Sequence, residues 1–242
     1  MYGGGNIIKV RDLTIVDLGN KELIISCDSS GAIGNKEMDV VKVSPDIVGY
    51  YGAHVALCEN IAYGATPITI VNTLSVEMNN TGKEIIKGIR RAIDLINIDV
   101  IITGSTEENF PTIQTGIGIT VIGIKEKNIN FKTEKDDIAV LIGLPKLGEE
   151  VLKSKEILRL DILKTLRNSN YLHEIVPVGS KGIFHEINEI SKIWNLEFNL
   201  FNNNIDLYKS AGPATCAIIT LKEENLKNIN IDIPINILGK FN

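Results

Sequence analysis

The chain has 242 residues, 44% hydrophobic and 23% charged, with a net charge of −5, a balance that excludes a disordered chain and leaves room for one or two domains with a sizeable core. Mild acidity without a basic stripe argues against nucleic acid as the main partner. No apolar run reaches the ~18 residues of a membrane span, and Met1-Tyr2-Gly3-Gly4-Gly5 does not open a signal peptide.

Ile7–Leu18, the turn Gly19-Asn20 and Glu22–Ser26 predict a hairpin, with Asp12 and Asp17 on strand-like backbone. The Gly3-Gly4-Gly5 arm ahead of it suits a lid. Ser44-Pro45 predicts a helix start, serine as N-cap and proline at the first helical position, running to about Tyr63 and stopping at Gly64. Pro67–Val76 reads as a strand. Thr81-Gly82-Lys83-Glu84 has the form of a capping box before a helix whose apolar face is Ile85, Ile86, Ile89, Ile93 and Ile96. Asp99–Thr103 reads as a buried strand and Thr115–Ile124 as another. Lys125–Asp136 is polar and marks the expected boundary between domains at 1–130 and 131–242. Beyond it, Asp137–Gly143 predicts a strand, Gly148–Leu166 one or two helices, Tyr171–Val178 an extended segment and Lys181–Trp194 a helix. Ala214–Leu221 and Ile231–Leu238 read as closing strands.

One stretch organises the chemistry: Cys27-Asp28-Ser29-Ser30-Gly31-Ala32-Ile33-Gly34-Asn35-Lys36, after the apolar run Leu23–Ser26. Small residues and glycines let a backbone approach an anion. An acid holds a hard cation such as Mg²⁺, and a lysine neutralises phosphate oxygens. Further acids stand at Asp12, Glu59, Glu107 and Glu108. Any one of them alone is more ordinarily a surface charge. Glu59 differs, because it lies in the mostly apolar Ala56–Ala62, where a carboxylate needs a partner or a metal. Cys27, Cys58 and Cys216 are odd in number and widely spaced; they form neither a zinc pattern nor a disulfide framework, and a reducing cytoplasm is expected. Cys58, Cys216 and His54 are expected in the core, and His185 in a surface role, with a place lining the acceptor pocket as the alternative.

These residues carry a resemblance. The chain resembles the superfamily of aminoimidazole ribonucleotide synthetase, thiamine-monophosphate kinase, selenophosphate synthetase and the hydrogenase maturation dehydratase. Asp28–Lys36 is similar to its strand-Asp-Gly-Val-Gly-Thr-Lys motif, Cys58–Pro67 to its Asn-Asp…Gly-Ala-x-Pro motif, and Thr103–Thr106 with Glu107-Glu108 to its Gly-Gly-Glu/Asp-Thr motif. Arg11-Asp12-Leu13 and Ser210–Ala214 match more weakly. Cys58 stands for the family Asn, Ser105 for an acid, and Val178–Ile183 for an Asp-Gly-Gly/Leu segment.

The resemblance implies an α+β, PurM-like fold, with an N-terminal mixed α/β domain that binds ATP and a shortened C-terminal α/β domain. It implies a homodimer built on the N-terminal sheet. Asp12, Asp28, Glu59 and Glu107 would hold Mg²⁺. Gly4, Gly5, Ser29, Gly31, Gly34, Lys36, Gly104 and Thr106 would bind the nucleotide, and Asp28, Lys36 and Glu108 would act in catalysis. The short C-terminal half, the absence of cysteine in residues 1–26 and the ending Gly239-Lys240-Phe241-Asn242 leave a small-molecule kinase with an alcohol acceptor. Val71–Met78 and Gly104–Thr112 look like the short α-ribazole kinase branch, which phosphorylates a 5′-hydroxyl in cobamide salvage. The alternatives are a thiamine-phosphate kinase, a synthetase activating an amide oxygen, and a nucleotide-binding protein without catalysis.

Overall fold

The structure, a computed structural model, describes residues 7–127, 131–202 and 204–242. Gly4 and Gly5, and with them the expected lid, lie outside the described residues. The chain divides into two compact units, Met1–Ile61 with Ala65–Asn128, and Ala62–Gly64 with Ile129–Asn242.

The first unit contains β1 (Ile7–Val10), β2 (Leu13–Asp17), β3 (Lys21–Gly31), the short pair β4 (Ile33–Gly34) and β5 (Val41–Lys42), α1 (Pro45–Ala62), β6 (Thr66–Leu74), α2 (Lys83–Ile96), β7 (Ile101–Thr106) and β8 (Gly116–Glu126). Six of these strands form one sheet in the order β1-β2-β3-β8-β6-β7. Only β6 and β7 pair in parallel within it. The alternation of β8 buries Ile117, Ile119 and Val121 on one face. Helix α1 packs there: a Cβ at Gly52 would stand 2.9 Å from Ile117 Cδ1. Helices α1 and α2 meet backbone to backbone. A Cβ on Gly49 would sit 2.0 Å from the Ile85 carbonyl, and one on Gly88 1.9 Å from the Asp46 carbonyl, so no side chain fits at either place. On the opposite face Leu23, Ile25, Ile122 and Ile124 are half-buried.

Several sequence expectations shift. Ile7–Leu18 is two strands broken at Arg11, whose φ is 51°, so Asp12 sits exposed in a turn and not on a strand. β3 runs on to Gly31, because every residue from Lys21 to Gly31 finds a register partner in β8. Thr81 does not cap α2; a π-type turn, Met78–Gly82, precedes the helix and Gly82 takes the N-cap position without a side-chain bond. β7 is an edge strand and mostly exposed, not buried. Helix α1 ends as expected, before Gly64 at φ 90°.

The second unit holds β9 (Asp137–Gly143), α3 (Glu149–Lys153), α4 (Leu160–Arg167), β10 (Leu172–Pro177), α5 (Ile183–Trp194), β11 (Phe198–Leu200), β12 (Cys216–Lys222) and β13 (Ile235–Phe241). Its antiparallel sheet runs β10-β12-β9-β13-β11. β9 is central and buried along its whole length. Ile183, Ile187 and Ile190 of α5 join a core with Leu141, Ile218, Leu238 and Phe241. The last strand begins four positions later than the sequence suggests, at Ile235 and not Ile231. Residue numbers 62–64 group with this unit. Among the described residues no helix is long and apolar enough to cross a membrane.

Candidate functional site

The C-terminal ends of β3, β6 and β7 lie at one end of the first unit's sheet, because β8 runs antiparallel to β3 and β6, and β7 follows β6. The register places the motifs in rows. Asp28 stands opposite Ile119, Ile119 opposite Asn72, and Asn72 opposite Gly104. Ser30, Ile117, Leu74 and Thr106 form the next row outward. At about 4.8 Å per strand, roughly 14 Å separates the Asp28 and Gly104 backbones. Asp12 precedes β2, which starts at this same end; Thr14 pairs with Ile25.

Asp28 is half-buried on the same side of β3 as the buried Ile24 and Ser26. Burial pushes its carboxyl up to about 6, and one backbone hydrogen bond from Ser29 only partly offsets this. Among the described residues, no cation is among the groups that shift it. A divalent ion there would supply the missing positive charge, so the Asp28 donor fits Mg²⁺. Asp12 is exposed in the turn at the same end.

Glu59 is placed elsewhere. The Asn60 side chain donates to the Ile24 carbonyl at 3.2 Å, and the Ser26 hydroxyl donates to the Ala56 carbonyl at 2.7 Å. The helix level of Asn60, next to Glu59, therefore lies between Ile24 and Ser26, two to four strand residues or roughly 7–13 Å short of Asp28 along β3. Its charge instead bears on Cys58, whose thiol burial and then Glu59 push well up.

The Lys36 ammonium is held by partners within the protein. Its Nζ donates to Glu77 Oε2 at 2.5 Å and to the Thr112 carbonyl at 3.0 Å. Glu77 also accepts from the Thr112 N–H at 2.7 Å and the Thr112 hydroxyl at 2.9 Å. The Lys36 ammonium, then the Thr112 amide, hold the Glu77 carboxyl down at about 2. A parallel arrangement surrounds Asp39. It accepts from Thr115 N–H (2.7 Å), the Thr115 hydroxyl (2.6 Å) and Lys36 N–H (2.8 Å). Burial opposes its ionisation, but these donors outweigh it and the carboxyl lies below its usual value. Gly34 is required there, since a Cβ would stand 2.4 Å from Thr115 Oγ1 and 2.6 Å from Asp39 Oδ2.

The remaining sequence candidates have local tasks. Glu108 accepts from Met78 N–H (2.8 Å) and the Thr106 hydroxyl (2.7 Å), and Glu107 from the N–H groups of Asn109 (2.7 Å) and Phe110 (3.2 Å). These carboxylates close turns beyond β6 and β7, where the sequence suggested a metal ligand and a base. Gly104 makes room for Asn72, whose Oδ1 would lie 2.5 Å from a Cβ there. Ser29 is exposed on the opposite side of β3 from Asp28. Gly31 has nothing near its missing side chain, which leaves open space at the strand end. The Ser29–Gly31 backbone belongs to a strand and not to a phosphate loop. β2 ends its pairing at Ile25, so past that point only β8 pairs with β3 and alternate N–H groups point away from the ladder.

Glu77, Asp39, Thr112 and Thr115 were not singled out from the sequence as site residues. The signal available was two Thr residues three apart before a strand, facing two acids from other segments, and only folding pairs them. In the second unit, Glu134, Asp137 and His173 form a cluster with metal-ligand chemistry. Lys222 already sits 2.8 Å from Asp137 Oδ1 and His173 2.6 Å from Asp137 Oδ2, so cationic and donor groups of the protein fill it. Cys58, Cys216 and His54 are buried, as expected.

Comparison with known proteins gives the same fold. The family described as AIR synthase related protein, N-terminal domain, matches residues 11–125. No curated protein sequence matches. Among solved structures, thiamine monophosphate kinase from Aquifex aeolicus superposes with a TM-score of 0.68 at 16% identity, covering 96% of this chain and 89% of that one. AaThiL complexed with AMPPCP and TMP gives 0.64 at 16% identity, with 97% and 86% covered. HypE from E. coli, a hydrogenase maturation protein, gives 0.66 at 12% identity, with 90% and 79% covered. At these identities the likeness is one of fold. Residues 11–125 therefore match the AIR synthase-related N-terminal domain, and the chain shares the PurM-like fold.

Proposed function

We propose that the protein is an ATP-dependent small-molecule kinase that transfers the γ-phosphoryl group to a hydroxyl, with α-ribazole as the acceptor. The observation that carries the reading is Asp28, a half-buried carboxyl without a cation among the described residues, at the sheet end where β3, β6, β7 and the start of β8 converge. The AIR synthase-related match over the same strands and the fold shared with AaThiL complexed with AMPPCP and TMP support it.

Asp28 and Asp12 would hold Mg²⁺, which when bound neutralises charge on the β- and γ-phosphates. The chain's own contribution is placement. Open N–H groups of β3 past Ile25 face the ligand. Lys36 stands at the same end and Gly31 leaves room for close approach. Glu108 and Glu107 keep the turns after β6 and β7 in shape. Phosphoryl transfer depends mainly on positioning and charge stabilisation, so no covalent enzyme intermediate is needed. The half-buried apolar residues Leu23, Ile25, Ile122 and Ile124 support a homodimer built on that sheet face. A monomer by light scattering at micromolar concentration would reject the dimer.

The test is incubation with Mg·ATP and, in turn, α-ribazole, thiamine monophosphate and formylglycinamidine ribonucleotide, with products read by mass spectrometry. A phosphorylated α-ribazole is expected. Product from thiamine monophosphate alone would move the acceptor to that class. Product from formylglycinamidine ribonucleotide alone would replace the kinase with an amide-activating synthetase. Binding of ATP with no transfer to any acceptor would leave a nucleotide-binding protein.

A further inference from the structure

Glu77 differs from the other acids at the sheet end in what it holds. Its carboxylate takes a side-chain ammonium from the β3–β5 segment and both the N–H and hydroxyl of Thr112 from the segment before β8. The Asp39 contacts already tie those two segments together through Lys36 N–H and Thr115. The Glu77 contact thus adds less to anchoring than to the state of Lys36. The Lys36 side chain is only 14% exposed and that of Glu77 28% exposed. An ammonium has three N–H bonds. Glu77 and the Thr112 carbonyl take two, which leaves one for an incoming oxygen.

We propose that Glu77 is a positioning residue for the nucleotide site, acting through Lys36: it holds the ammonium at the strand ends with its charge cancelled, and yields it to a phosphate group when an anionic ligand enters. This rests on reading the sheet end as a nucleotide site. Two consequences follow from charge alone. Removing the carboxylate charge frees Lys36 and tightens polyphosphate binding. Removing the ammonium weakens it.

The probe is metal-free inorganic tripolyphosphate, titrated by calorimetry at low salt into wild type, Glu77→Gln and Lys36→Gln. Glu77→Gln is expected to bind severalfold to about tenfold tighter, and Lys36→Gln about tenfold weaker. Amide exchange of Thr112 should quicken severalfold in Glu77→Gln while Thr115, held by Asp39, stays protected. Unchanged or weaker tripolyphosphate binding by Glu77→Gln overturns the proposal. If that variant loses Thr115 protection, and so its fold, Lys36→Gln carries the test, and wild-type affinity in it is the overturning result. Wild-type affinity for Mg·ATP is measured separately. Its absence rejects the kinase reading, whereas Thr112 exchange still reports whether Glu77 holds that segment.

Discussion

Two aspartates close in sequence, Asp28 at the end of β3 and Asp39 in the turn before β5, are both removed from water and are treated in opposite ways. Asp39 is 4% exposed and has three donors, so its charge is fully answered within the fold. Asp28 has one backbone donor and a carboxyl raised to about 6. A buried carboxylate with its donors in place is structure. One that lacks them costs stability, and such sites cluster where a ligand supplies what is missing. The difference separates a residue whose charge is answered within the fold from one whose charge is not.

Substitutions break this comparison in order of effect. Asp28→Asn should lower Mg²⁺-dependent ATP turnover by at least about a hundredfold with the fold intact, as expected for a lost metal ligand. Normal turnover, with normal Mg·ATP affinity by calorimetry, would remove Asp28 from the site. Asp39→Ala should do the reverse, leaving two Thr115 donors and Lys36 N–H without their acceptor. A loss of roughly 2–4 kcal/mol in urea unfolding is expected. A change below about 0.5 kcal/mol would show that the turn does not depend on it.

A subtler test uses pH. The folded-state value of Asp28, about 6, lies above the ordinary 3.8. For a carboxyl shifted this way, wild type loses stability as pH rises from about 4 to about 6, and the cost is fully present above that window. Asp28→Asn has no such loss, so it should equal wild type near pH 3.5 and exceed it at pH 7 by at most about 3 kcal/mol. Parallel stability profiles across that window would show that Asp28 is solvated. The smallest effect is expected at Glu59. Its helix level lies between Ile24 and Ser26, short of Asp28, so Glu59→Gln should keep nearly all of the thermal shift that wild type gains with Mg·ATP. Loss of most of that shift would put Glu59 back among the metal ligands.

Helix α1 was legible because its signals are local: Ser44-Pro45 at the start, Gly64 at φ 90° after the end. The apolar face of α2 was legible by its period, with Ile85, Ile89, Ile93 and Ile96 all buried. Thr81 misled because the capping pattern competes with a π-type turn, in which Gly82 N–H donates to the Glu77 carbonyl at 2.9 Å. The Asp28 stretch misled because small residues and glycines suit a loop and an edge-exposed strand equally well. The long partner β8 settles it as strand.

The sequence by itself determined helix α1, the apolar face of α2 and the motifs that match the AIR synthase-related N-terminal domain over residues 11–125, because periodicity and short motifs act over a few residues. Which charges meet was decided only by tertiary structure. Lys36 pairs with Glu77 and Thr112, Asp39 with Thr115, and Asp28, among the described residues, with no side-chain donor. Those partners come from separate strands and turns, and sheet register, not local propensity, sets the distances between them.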